Sequence, residues 1–123
     1  MKSSATLFAV ALLAAGAAHA ACSYPRPPEK LPDGNTASKE EMVAGQRAVK
    51  QYDTDINAYI ACLKLEHEQQ LAREDSALTE EQKKYMERLQ VQKHNAAIDE
   101  LEAVAARFNE QVRAFNTKNG KKK

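Results

Sequence analysis

From Ser38 to the C-terminus, apolar side chains return every three or four residues on a polar background. In the first half of that stretch Met42, Val49, Tyr52, Ile56, Tyr59 and Leu63 keep heptad spacing, and Gly45 stands where a member is missing. In the second half Val91, His94, Ile98, Leu101, Ala105, Phe108, Val112 and Phe115 alternate steps of three and four. Spacing of this kind lines up one face of an α-helix. It predicts two amphipathic helices.

The boundaries come from capping chemistry. Ser38-Lys39-Glu40-Glu41 and Thr79-Glu80-Glu81-Gln82 both have the hydroxyl-x-x-carboxylate/amide form of a capping box. In each, the side chains at the two ends satisfy each other's orphan amides. The reading is a helix over 39–74, a turn over 75–79 and a helix over 80–116, with Gly120 as a plausible stop beyond it. Gly45 costs the first helix roughly 1 kcal/mol relative to alanine.

If the chain folds back at residue 77, paired positions add to about 154. Met42 then meets Val112, Val49 meets Ala105, Ile56 meets Ile98 and Leu63 meets Val91, with Tyr52 beside Leu101. One register aligns both stripes, as an antiparallel coiled-coil-like pair needs. The aromatics Tyr52, Tyr59, Tyr85, Phe108 and Phe115 are expected mainly in this seam, with His94 as a polar interruption that fixes register. Because 75–79 holds no proline or glycine, one uninterrupted helix dimerising as a rod stays open as the alternative.

Ahead of the helices the pattern changes. Pro25, Pro27, Pro28 and Pro32 fall within eight residues and Asp33-Gly34-Asn35 follows. Proline removes amide donors and fixes φ, so residues 21–37 are expected as an extended arm that turns at Asp33-Gly34. Ala44, Ala48, Ala58 and Ala61 make a shallow track beside the seam of the first helix, and such an arm could lie in it.

The first residues carry a different signal. Lys2 precedes a run from Ala5 to Ala15 that is apolar except for Thr6, and Ala18-His19-Ala20 stands before Ala21. This is the order of a secretory signal peptide over 1–20, cleaved between Ala20 and Ala21. Its apolar run is shorter than the roughly 20 residues that span a bilayer, so no stable membrane insertion is expected. The expected location is the periplasm or the medium.

Export changes the meaning of the two cysteines. Cys22 and Cys62 in an oxidising compartment read as one disulfide. The arm is long enough to reach back from Ser38 to Cys62, about 36 Å along the first helix at 1.5 Å per residue. Closing a loop of about 40 residues contributes on the order of 4 kcal/mol in the chain-entropy model. Two free thiols, or lipidation of Cys22 just after the leader, remain open alternatives.

Charge excludes more than it suggests. Losing Lys2 from the 18 Lys and Arg leaves 17, against 17 Asp and Glu. A balanced chain has no global field for nucleic acid. Lys118, Lys121, Lys122 and Lys123 form a basic tail over 118–123, able at most to touch an anionic surface weakly.

Catalytic and cofactor chemistry is not legible. His67-Glu68-Gln69-Gln70-Leu71 opens like the HExxH zinc motif, but Leu71 stands where the second ligand belongs. There is no nucleophile elbow and no glycine-rich phosphate loop. No catalytic residue, metal site or cofactor is assigned. Val43 and Phe115, near the open end of the hairpin, are the candidate docking patch.

Two resemblances add context. Ser38-Lys39-Glu40-Glu41-Met42, His94 to Glu102 and Arg107-Phe108-Asn109-Glu110-Gln111 resemble segments of small uncharacterised exported helical proteins of proteobacteria, a likeness that implies no activity. Leu78-Thr79-Glu80-Glu81-Gln82 is similar to the LTxxQ motif of helical periplasmic stress chaperones, which would imply client or sensor binding on a concave face. The motif occurs once here, where those chaperones usually carry two copies. The sequence therefore points to an all-α, disulfide-stapled hairpin that is not an enzyme. Its expected role is to bind an unidentified envelope protein, with a homodimer, a chaperone or a small secreted inhibitor or effector as alternatives.

Overall fold

The computed structural model describes residues 21–74 and 77–120. The expected leader and Ala20 lie outside the described residues, as do Asp75, Ser76, Lys121, Lys122 and Lys123. Two helices make up the fold, α1 (Lys39–Glu74) and α2 (Glu80–Gly120). They pack against each other as an antiparallel hairpin, which removes the single-rod alternative.

Both capping boxes form. The Ser38 amide donates to Glu41 Oε2 at 2.7 Å and the Glu41 amide to Ser38 Oγ at 3.1 Å. At α2 the Thr79 amide donates to Gln82 Oε1 at 2.8 Å and the Gln82 amide to Thr79 Oγ1 at 3.1 Å. Each box satisfies two of the four amides that a helix start leaves unpaired. The chain leaves α1 through Ala77 and Leu78, whose amides both donate to the Glu74 carbonyl.

α2 runs to Gly120 rather than ending at Asn116. No proline interrupts it, and the Asn119 side chain donates to the Phe115 carbonyl at 2.8 Å. Lys118 therefore belongs to the last helical turn, not to a tail.

The core has two parts. Tyr52, Ile56, Ala97 and Val104 form one cluster, flanked by Val49, Tyr59, Ile60 and Leu101. Ala37, Met42 and Phe108 form the other, flanked by Leu31, Val49, Val112 and Phe115. The α2 seam thus passes through Ala97 and Val104, one position before the expected Ile98 and Ala105. Ala97 sets a smaller side chain than Ile98 against Tyr52 and Ile56, and Val104 a larger one than Ala105, so the shift redistributes volume along the seam while Leu101, Phe108, Val112 and Phe115 still pack on the core. With this rotation His94 becomes exposed and does not interrupt the seam. Val91 is 50% exposed for the same reason.

Residues 21–38 form neither helix nor strand apart from a turn. That turn falls where the sequence places it: the Asn35 amide donates to Asp33 Oδ1, and the amides of Thr36 and Ala37 donate to the Asp33 carbonyl. From there the chain passes back along α1, with Pro32 over Gly45, Tyr24 against Tyr59 and Cys22 bonded to Cys62. It also touches α2, since the Gly34 amide donates to Gln111 Oε1 at 2.9 Å. This segment makes a third layer over one half of the hairpin.

Candidate interaction surface

The covered half is closed by specific contacts. The Cys22–Cys62 disulfide spans 40 residues with a Cα–Cα distance of 5.8 Å, inside the ordinary range for an unforced bridge. Glu66 Oε2 lies 3.2 Å from Cys22 Sγ. The bridged sulfur has no proton to give, so this is a contact and not a hydrogen bond. One turn of α1 away, the rings of Tyr24 and Tyr59 meet edge to face, with centroids 5.0 Å apart and planes at 70°.

Tyr52 sits beneath this layer, 2% exposed. Among the described residues, no group meets its hydroxyl with hydrogen-bond geometry. Burial first, then the neighbouring Tyr24 hydroxyl and the Glu100 carboxylate, push its pKa up to about 12, while Arg107 pulls the other way. Burial, with Tyr24 and Glu66 behind it, also raises the pKa of Tyr59. The groups around the covered half hold both phenols neutral.

Small residues matter here in a way the sequence reading placed only in part. Ala44, Gly45 and Ala48 line a cleft of about 420 Å³ beside Leu31 and Pro32. Ala58 and Ala61 stay exposed and form no track for the segment. Gly45, which interrupts the heptad pattern, is buried because Pro32 covers it.

At the open end of the hairpin, Val43 and Phe115 line one depression of about 230 Å³ with Met42, Phe108 and Val112. Val43 is 38% exposed, whereas Phe115 is half-buried and packs on the core. The two residues thus share a depression, but only Val43 offers much free surface.

The other half of the hairpin is different. Beyond Leu63 on α1 and before Ala97 on α2, no described residue is buried. The same region holds Leu65 at 55%, Tyr85 at 56%, Leu89 at 36% and Val91 at 50% exposure. Tyr85 is thus outside the seam where an aromatic at helical spacing is expected, and the Arg88 guanidinium lies 6.0 Å from its ring centroid. A small cavity of about 80 Å³ opens between the helices, with Leu63, Glu66, Gln70, Met86 and Leu89 among its walls.

Searches against protein-family models, curated proteins and solved structures find no match to this chain. The surface must therefore be read from its own chemistry. His67 lines the small cavity, while His94 is exposed on α2, where its ring nitrogen faces the Asn95 side chain at 3.3 Å. Among the described residues, no three His, Cys, Asp or Glu side chains cluster as a metal site. Both cysteines are consumed by the bridge. No helix among the described residues is long and apolar enough to cross a membrane.

The sequence reading missed Tyr85 and Leu89. Their signal was present: both fall in the long interval between Leu63 and Val91, where neither stripe has a member. An apolar residue outside the seam register is a candidate for exposure.

Proposed function

We propose that this is an exported, non-enzymatic interaction protein that presents a helical surface to another protein of the bacterial envelope. The supporting observation is the uneven closure of the hairpin. One half is sealed by a covalently held third layer, while in the other no described residue of either helix is buried and Tyr85 and Leu89, four residues apart on one face of α2, stand exposed, with Leu65 and Val91 exposed on other faces. Neighbouring exposed apolar side chains such as Tyr85 and Leu89 mark binding sites more often than scattered ones do.

The location rests on the leader pattern of residues 1–20 and on the disulfide, a bond that persists in oxidising compartments. The shallow depressions gather no convergent set of catalytic groups, which favours binding over catalysis. The chaperone reading gains nothing from Leu78 to Gln82, because Thr79 and Gln82 are engaged in capping α2. A homodimer through the exposed half and a weak anionic contact by the basic C-terminus are further readings of the same surface.

The test is photocrosslinking in living cells from positions 43, 65, 85 and 89 in turn. Recovery of the same envelope protein from one end of the hairpin, and not from the other, supports the reading. No crosslinked protein from any position sinks it.

A further inference from the structure

We infer that the Cys22–Cys62 bond is a latch: reduction by a protein dithiol frees residues 22–32 from α1 while the two helices stay paired. The inference is separate from the interaction reading, whose crosslinks are made with the bond intact.

The argument begins from how little else holds the segment. None of residues 21–33 is buried. Among the described residues, no backbone amide or carbonyl of residues 22–32 is hydrogen-bonded to either helix. Pro25, Pro27, Pro28 and Pro32 lack the amide donor and keep the chain extended whether it is docked or free. The segment is fastened at its two ends. At one, Pro32 sits over Gly45 and the Gly34 amide donates to Gln111 Oε1 at 2.9 Å. At the other stand the bond itself and the edge contact of Tyr24 with Tyr59. Tyr24 remains 45% exposed in that contact. Holding such a segment still costs conformational entropy, and so few contacts regain little of it once the bond is gone.

The helices do not need the segment in the same way. Tyr52, Ile56, Ala97 and Val104, with Val49, Tyr59, Ile60 and Leu101 around them, make a core drawn entirely from α1 and α2. Of residues 22–32, only Leu31 packs on the other cluster. Opening the latch therefore uncovers the face of α1 around Gly45, Tyr52 and Tyr59 without dismantling the hairpin.

The bond is also placed where a dithiol can reach it. Neither cysteine is fully buried, and Ala21, Ser23 and Ala61 beside them are exposed. A thiolate of the dithiol attacks one sulfur of the bridge, forming a mixed disulfide and expelling the other sulfur as a thiolate. The second thiolate of the dithiol then attacks the mixed disulfide. Cys22 and Cys62 end as two thiols, having gained two electrons and two protons. The dithiol ends as a disulfide, having lost them. Exposed bridges are the ones that exchange in this way.

The chain lacking the leader is followed by nitrogen-15 relaxation and circular dichroism, first oxidised and then in dithiothreitol as the probe dithiol. On reduction, the backbone order parameters of residues 23–31 should fall from about 0.85 to below about 0.6. The nuclear Overhauser contact between the Tyr24 and Tyr59 rings should vanish, while helix content and the order of residues 45–60 stay as they were. Reoxidation should restore the ordered segment. The rate of reduction should rise in proportion to dithiothreitol and ignore urea below the unfolding transition, because attack needs no unfolding. In oxidised Tyr24→Ala the segment should stay ordered. A segment that remains ordered after reduction would overturn the inference, since its contacts would then suffice to hold it. So would a hairpin that unfolds on reduction, or a rate that levels off at the unfolding rate, either of which makes the bond a staple of the whole fold. Disorder in oxidised Tyr24→Ala would overturn it in favour of the ring contact as the fastening.

Discussion

The ring of Pro32 stands where the side chain of residue 45 would begin. A Cβ built on Gly45 would lie 2.6 Å from Pro32 Cδ, 2.7 Å from Pro32 Cγ and 2.9 Å from Phe108 Cε2. Both neighbours are rigid rings, so neither can swing aside as a flexible chain would. The glycine that weakens α1 locally is the one that lets a third layer close over it.

Gly45→Ala sets two effects against each other. Helix propensity gains about 1 kcal/mol, and overpacking costs roughly 1–3 kcal/mol. The collision should win, lowering stability by roughly 1 kcal/mol in urea unfolding. Adding Pro32→Ala should recover part of that loss, since the two residues are in contact and their effects should not add. Equal losses with and without Pro32 would show that the contact is not the cause.

Gly34→Ala should be worse. The new methyl would overlap the Gln111 carbonyl oxygen and lie 2.8 Å from the Phe115 amide nitrogen, and both are backbone atoms of α2. The segment would have to lift from α2, losing the Gly34–Gln111 hydrogen bond as well. A loss of about 2–3 kcal/mol is expected from overpacking and a broken, partly buried hydrogen bond together. Gln111→Ala, which removes only the bond, should cost about 1 kcal/mol.

Removing the bridge by Cys22→Ser with Cys62→Ser should lower stability by on the order of 4 kcal/mol in the chain-entropy model. The loss should also be local. Hydrogen exchange at Gly34 and Ala37 should accelerate more than exchange at Ile56 and Val104, because the first pair depends on the segment staying down. A uniform acceleration would mean that the bridge acts only through global stability.

Alkaline pH should unfold the protein in a defined window. In the folded protein the Tyr52 pKa is pushed up to about 12, against 10.0 for an ordinary tyrosine. The folded state therefore holds its proton more tightly than the unfolded chain does. The associated stability is intact below pH 10 and is lost progressively as pH rises through about 12. Two pH units of difference correspond to roughly 3 kcal/mol at the upper end. Tyr52→Phe should flatten this part of the profile, leaving the share due to Tyr59. It should be neutral or slightly stabilising at pH 7, because it deletes a buried hydroxyl that no described residue meets with hydrogen-bond geometry.

Much of this architecture was written in local signals. Ser38 with Glu41, and Thr79 with Gln82, mark both helix starts because capping is decided within four residues. Cys22 and Cys62 leave only one pairing within the chain. The rotation of α2 was not legible, because Ala97 and Ile98 are both acceptable at a seam. The choice between them depends on the bulk of Tyr52 and Ile56 across the interface, a three-dimensional property. The same holds for Gly45, which reads as a defect in one dimension and as a socket in three. The sequence reading groups Tyr85 with the seam aromatics, but it falls between the two apolar stripes and stands 56% exposed.

The bridge also has a position in time. Cys22 and Cys62 both precede α2, so a chain that emerges from its N-terminus presents the whole crosslinked loop before the second helix exists. The bridge thus ties the N-terminal segment to α1 alone, and its hold on α2 rests on non-covalent contacts such as that of Gly34 with Gln111.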